Sequence, residues 1–236
     1  MKIDFPAFPT ILFLLITAYL FIITVLGLAK ILKKARHPNY VGVLYMVALG
    51  MLGWLLLTTF LGVKGFFQEF EAFPPPIMML FVVMFVTMVI LLRSKAVGRL
   101  LDETPPQWLI YPQAYRIGVE IVLWRLAVAN ICPEQMSFEG LNFDIIAGIT
   151  APIAAYAAFG GGRNNRRLAL IWNFISLGLL INILTIAILS FPQIGAFEEP
   201  NVFVTVWPLV WLPAFVAPWA MIMHALSIRQ LLRKPS

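Results

Sequence analysis

The sequence is poor in the residues from which most catalytic and metal centres are built. One cysteine, Cys132, and two histidines, His37 and His224, occur in 236 residues. A disulfide framework is thereby excluded. There is no HExxH pair, no paired cysteine and no helical histidine pair, so no metal site and no cofactor is expected. Gly160–Gly162 is followed by Arg163 but lacks a Walker pattern, so phosphate binding of that type is excluded as well. Charge is scarce: 12% of residues are charged, against about 25% in soluble domains. No polar linker divides the chain, which reads as one domain over residues 1–236.

What is present is apolar. Hydrophobic residues make up 61% of the chain, too many for a disordered protein. Seven stretches approach the roughly 20 apolar residues that cross a bilayer as a helix. They are Pro9–Ala29, Tyr40–Val63, Pro76–Leu92, Gln107–Cys132, Phe143–Gly161, Leu168–Phe191 and Val204–Leu232. The third is short and is expected to lengthen through Lys95 toward Leu101 by snorkelling of its basic ends. The last is interrupted by Pro208, Pro213 and Pro218, which membrane helices tolerate better than soluble ones. The first has no small-residue cleavage site and is followed, not preceded, by basic residues, so it reads as a retained helix. The predicted fold class is all-α, a seven-helix membrane bundle.

The net charge of +6 would suit a nucleic-acid binder until the basic residues are located. Lys30, Lys33, Lys34 and Arg36 follow the first stretch. Arg93, Lys95 and Arg99 follow the third, Arg163, Arg166 and Arg167 the fifth, and Arg229, Arg233 and Lys234 the seventh. These are 13 of the 17 basic residues. Lys2 and Lys64 fall on the other side, with Asp4, Glu69, Glu71, Glu134, Glu139, Glu198 and Glu199. Alternation of this kind is the positive-inside pattern. It predicts an outside N-terminus, a cytoplasmic C-terminus and membrane lipid as the partner of the charge. Nucleic acid is not an expected partner, and the sequence leaves homo-oligomers open.

The fourth stretch carries Gln113, Arg116, Glu120, Arg125 and Asn130. Gln113, Arg116 and Glu120 share a helical face. Arg116 and Glu120 are four residues apart and are expected to pair; Arg125 points roughly the other way. A charge near the bilayer centre costs about 2.5–3.5 kcal/mol, so these groups must face protein, water or each other. Three readings stay open: a structural pair, a site that binds, senses or transports a small molecule, lipid or ion, and a catalytic acid with Glu120 as proton donor. The candidate site residues are Gln113, Arg116, Glu120, Arg125, Asn173 and Trp211. An arginine at such a site favours an anionic or carbonyl-bearing ligand, and the expected partner is an apolar or anionic small molecule.

Other features have plainer readings. Asn173 and Asn182 face opposite sides of the sixth stretch, one inward. Asn142 and Asp144 read as caps of the fifth stretch. Ala147, Gly148, Ala151, Ala154, Ala155 and Ala158 form a small-residue face for close helix packing, and Gly50 and Gly53 are read likewise. Trp207, Trp211, Phe215 and Trp219 form an aromatic stripe, Gly65–Pro75 an interfacial segment, and His224 an interfacial residue.

The segments QMSFEGLNFDIIAGITAPI (Gln135–Ile153) and WLPAFVAPWA (Trp211–Ala220) resemble those of uncharacterised bacterial multi-pass proteins, which implies a bacterial inner membrane and no functional residue. Span number and outside N-terminus are similar to those of rhodopsins, but the seventh stretch has no lysine for retinal. Size, span count and the buried acid Glu120 are similar to those of small membrane terpene cyclases. That resemblance implies an isoprenoid substrate, although the seventh stretch lacks the acid expected there. An intramembrane enzyme acting on a lipid or isoprenoid, or an accessory subunit of a membrane complex, are therefore the alternatives to ligand binding.

Overall fold

The computed structural model describes residues 3–233; Lys2 and Lys234, used above in the charge partition, lie outside them. The described residues form eight α-helices and no strand: α1 (Ala7–Lys34), α2 (Tyr40–Val63), α3 (Met78–Arg93), α4 (Lys95–Glu103), α5 (Tyr115–Val128), α6 (Asp144–Phe159), α7 (Arg166–Leu189) and α8 (Ala217–Leu232). Five helical segments are long and apolar enough to cross a membrane: α1, α2, α6 continued to Gly162, α7, and Leu212–Leu232. The bent pair α3–α4 makes a sixth. Hydroxyls in these apolar helices are satisfied locally. Thr10, Thr17 and Thr24 each donate to the carbonyl four residues back, at 2.8, 3.0 and 2.7 Å, which keeps a polar atom quiet in an apolar setting.

The outside of the bundle is as apolar as its inside. Tyr45, Met46, Leu49, Leu56 and Phe60 of α2 are exposed, as are Ile11, Leu15 and Leu26 of α1 and Phe174 and Ile175 of α7. A soluble monomer does not carry so continuous an apolar surface, and helices apolar all round suit a lipid environment.

Three predicted stretches are broken, each for a local reason. The third does not continue straight: α3 and α4 meet at 72°. Ser94 is extended there, and its Oγ accepts from Val97 N at 3.3 Å, capping α4. The fourth is not one helix. Prolines at 105, 106 and 112 give 3-10 turns at Pro106–Leu109 and Tyr111–Ala114 before α5 begins, since proline lacks the N–H that an α-helix needs. The seventh starts late, with a 3-10 turn at Phe203–Thr205 and a π turn at Leu212–Val216 leading into α8. Pro218 cannot bond the Ala214 carbonyl, and Trp54 Nε1 takes its place at 2.8 Å. Tyr115 Oη donates to the Val216 carbonyl at 2.8 Å.

α5 is the element around which the rest is arranged. Gly118 faces Ile16 of α1, and a Cβ on Gly148 of α6 would come within 2.8 Å of the Ile117 backbone nitrogen. The alanine face of α6 is buried, so two backbones meet beside Arg116. Gly50 and Gly53 differ from that expectation: open space lies beside both.

The basic segments gather at one end. Lys34 pairs with Glu103 at 3.3 Å and Arg233 with Asp102 at 2.9 Å. Arg229 donates to the Leu91 and Ser94 carbonyls, both at 2.9 Å, closing α3. Gln230 Nε2 closes α4 through the Leu101 and Thr104 carbonyls at 2.6 and 2.5 Å. Arg166 bonds the Gln230 and Leu231 carbonyls at 2.9 and 2.5 Å, a cation where the dipole of α8 favours one.

Candidate functional site

Two charged side chains stand one turn apart on α5, and both are 2% exposed. They are not paired with each other, contrary to the expectation from their spacing. Arg116 pairs with Asp144 on the first turn of α6: Nε donates to Oδ2 at 2.6 Å, and Nη2 to Oδ1. A carboxylate suits that position, where the helix dipole is positive. Nη2 also reaches the Ser176 carbonyl at 3.3 Å, and Nη1 donates to Ser176 Oγ at 2.7 Å.

The fifth guanidinium hydrogen goes to a histidine. His224 Nε2 lies 3.1 Å from Arg116 Nη1, and since arginine can only donate, this ring nitrogen accepts. The proton therefore sits on Nδ1, which donates to Asn173 Oδ1 at 2.9 Å. Asn173 Nδ2 passes the chain on to Ala169 O and Ser227 Oγ at 2.8 and 3.0 Å. His224 is wholly buried, a correction to its reading as an interfacial residue. Asp144, read as a cap, is the counter-ion. The capping role falls to Asn142, whose Oδ1 accepts from Asp144 N at 3.0 Å.

Arg116 is thereby closed. A guanidinium has five hydrogens, and Asp144, Ser176 and His224 receive all five. No donor remains for the anionic or carbonyl ligand that Arg116 suggested in the sequence.

Glu120 differs. Its partner is Asn142 Nδ2, 2.9 and 2.7 Å from the two carboxyl oxygens. The same nitrogen gives its other hydrogen to the Met136 carbonyl at 2.9 Å. One N–H is thus shared by two oxygens that together offer about four acceptor positions. Among the described residues no cation lies in salt-bridge range of Glu120.

Glu120 faces a cavity of about 70 Å³ between α5, α7 and the π turn. Its walls are apolar, with Phe81, Leu123, Leu184, Ala187, Leu212 and Val216 among them. Arg116, Asp144 and Asn201 also line it. Asn201 is wholly buried in the loop after α7. Its Nδ2 donates to the Ala187 carbonyl at 3.1 Å and its N–H to the Ser190 carbonyl at 2.7 Å. Its Oδ1 has no hydrogen-bond partner. Nothing in the sequence marked this residue, which stands on an irregular loop outside any helical periodicity.

The remaining sequence candidates lie elsewhere. Gln113 is buried and donates to the Ala220 carbonyl at 3.3 Å. Arg125 is exposed, with its guanidinium 5.6 Å from the Trp124 ring centre. Trp211 points to α2, where Nε1 donates to the Leu55 carbonyl at 3.1 Å, and it does not wall the cavity beside Glu120. Asn182 bonds the Leu141 carbonyl at 2.9 Å. Among the described residues, no cluster of three or more His, Cys, Asp or Glu could hold a metal ion.

A family model described as a domain of unknown function (DUF8737) matches residues 74–232. The chain belongs to this family. The matched range contains the whole Arg116 network, Glu120 and Asn201, and leaves out α1 and α2. No curated protein and no solved structure matches the chain. The family description lends no support to the resemblance with bacterial multi-pass proteins.

Proposed function

We propose that the chain is an integral protein of a bacterial inner membrane that binds a small, largely apolar ligand beside Glu120, in order to sense or move it. The observation that carries this reading is a buried carboxylate with one shared N–H, set on an apolar cavity. Burying an unpaired ionised group is costly, and intramembrane ionisable residues mark ligand and ion pathways. Apolar pockets with a few placed polar groups are the usual form of a small-molecule site. The Arg116 network holds α5, α6, α7 and α8 in register and leaves the cavity between them.

The proposed topology has seven crossings, the N-terminus outside and the C-terminus in the cytoplasm. Two features support it: the apolar outer surface and the gathering of basic segments at one end. Impermeant maleimide on a Cys132→Ala background tests it. Ser94→Cys should label only from the cytoplasmic side and Glu139→Cys only from the outer side.

The test of ligand binding is mass spectrometry of protein purified gently into nanodiscs. Wild type should retain a small molecule that Ala187→Leu, which fills the cavity, loses. Equal retention by both proteins would overturn the reading.

A further inference from the structure

We infer that the cavity receives the ammonium end of a small alkylamine, with Glu120 and Asn201 as the groups that accept its hydrogens. The inference rests on the reading of the cavity as a ligand site and adds the chemical class of the ligand.

It follows from which valences remain unfilled. The polar side chains lining the cavity are Tyr115, Arg116, Glu120, Asp144 and Asn201. Tyr115 gives its hydrogen to Val216 O. Arg116 gives all five to Asp144, Ser176 and His224, and both Asp144 oxygens are occupied by Arg116. The least satisfied acceptors are the Glu120 carboxylate, with its single shared N–H, and Asn201 Oδ1, with none. Asn201 cannot turn to offer its amine instead, because Nδ2 is held by Ala187 O. The unfilled positions are acceptors, apart from the second hydrogen of Asn201 Nδ2, whose first is held by Ala187 O.

The charge count agrees. With Glu120 ionised, Arg116 is one cation and Asp144 and Glu120 are two anions. His224 adds no charge, because its Nε2 is the acceptor facing Arg116. The buried cluster is one positive charge short. A carboxylate or carbonyl ligand would find at most the second hydrogen of Asn201 Nδ2 as a donor and would face the Glu120 oxygens. A hydroxyl brings one donor and no charge. A primary ammonium brings three donors and the missing charge. A quaternary ammonium has no N–H and is too broad for about 70 Å³, less than half of the roughly 150 Å³ that houses benzene. The apolar walls suit the first carbons of an alkyl chain.

The experiment is isothermal titration of the full chain in phosphatidylcholine nanodiscs, with empty nanodiscs subtracted. The probes are hexylamine, hexan-1-ol and hexanoate. Hexylamine should bind tightest and hexanoate should not bind. Glu120→Gln should weaken hexylamine roughly 10- to 100-fold, as expected for a hydrogen bond to a charged group, and change hexanol little. Asn201→Leu keeps Glu120 and should weaken hexylamine by roughly 2- to 10-fold; it serves if Glu120→Gln does not give monodisperse protein. Ala187→Leu should abolish binding of both. If hexanol binds as well as hexylamine, and neither variant separates them, Glu120 carries its own proton and the ammonium assignment is overturned while the ligand site stands. Preferential binding of hexanoate overturns it in the same way. If no probe binds wild type, and the retained molecules of wild type and Ala187→Leu are the same, both readings fall.

Discussion

Arg116 and Glu120 sit one turn apart on the same helix, equally buried, and have opposite fates. The arginine has an acceptor for every hydrogen it owns. The glutamate shares a single N–H between its two oxygens. The pair separates two uses of buried charge. A closed group specifies how helices assemble, because any slip of α6, α7 or α8 leaves one of its hydrogens bare. An open group contributes little to assembly and keeps its valences for something else. Burial alone does not distinguish them; counting donors against acceptors does.

The sharpest way to break the comparison is to remove the closed group. Arg116→Met leaves Asp144 without its counter-ion and should destabilise the protein by about 3–5 kcal/mol. The readout is the yield of monodisperse protein and its unfolding midpoint in detergent. Arg116→Lys should rescue little, since three donors on a point charge cannot replace a planar fork of five. Replacing both partners, Arg116→Met with Asp144→Leu, should cost less than Arg116→Met alone, by a coupling of about 0.5–3 kcal/mol. If the double variant is the worse one, the pair is not the assembling element.

A smaller effect is expected from Gly148→Ala. Its methyl would fall 2.8 Å from the Ile117 nitrogen and push α6 away from the guanidinium. Overpacking of this kind costs about 1–3 kcal/mol, read as a lowered unfolding midpoint. The smallest change in stability should come from Glu120→Gln, within about 1 kcal/mol of wild type or slightly stabilising, because an uncompensated charge is removed and the Asn142 bond can persist. A large loss of stability in Glu120→Gln would erase the distinction between the two groups.

Much of the fold was legible because hydropathy is read one residue at a time. The second stretch has the observed bounds of α2, and α6 and α7 lie within about two residues of prediction. The breaks were harder. The prolines near α5 and before α8 were visible, but whether a proline merely bends a helix or turns it into 3-10 or π geometry depends on who takes the freed carbonyl. Trp54, which takes that of Ala214, lies 160 residues away. The choice of partner was not legible for the same reason. Glu120 is four residues from Arg116 and draws the eye, whereas Asp144 is brought there by the register of α6 on α5, which Gly148 permits. His224 was placed at the membrane surface because it lies toward the inner end of the seventh stretch. In fact α5 and α7 enclose it, through Arg116, Ser176, Asn173 and Trp172.

The closure of Arg116 also has a consequence in time. Its acceptors lie 28, 60 and 108 residues further along the chain, in Asp144, Ser176 and His224. When α5 leaves the ribosome, none of them has yet emerged. On the proposed topology, a lone α5 would carry its guanidinium into lipid with every hydrogen bare, at a cost that such a short helix is poorly placed to offset. α5 therefore has to wait at the interface or within the insertion machinery until α6, α7 and α8 follow. On that topology the last four helices would enter as one unit, and a nascent chain halted before His224 is synthesised would remain unfinished at its centre and not only at its end.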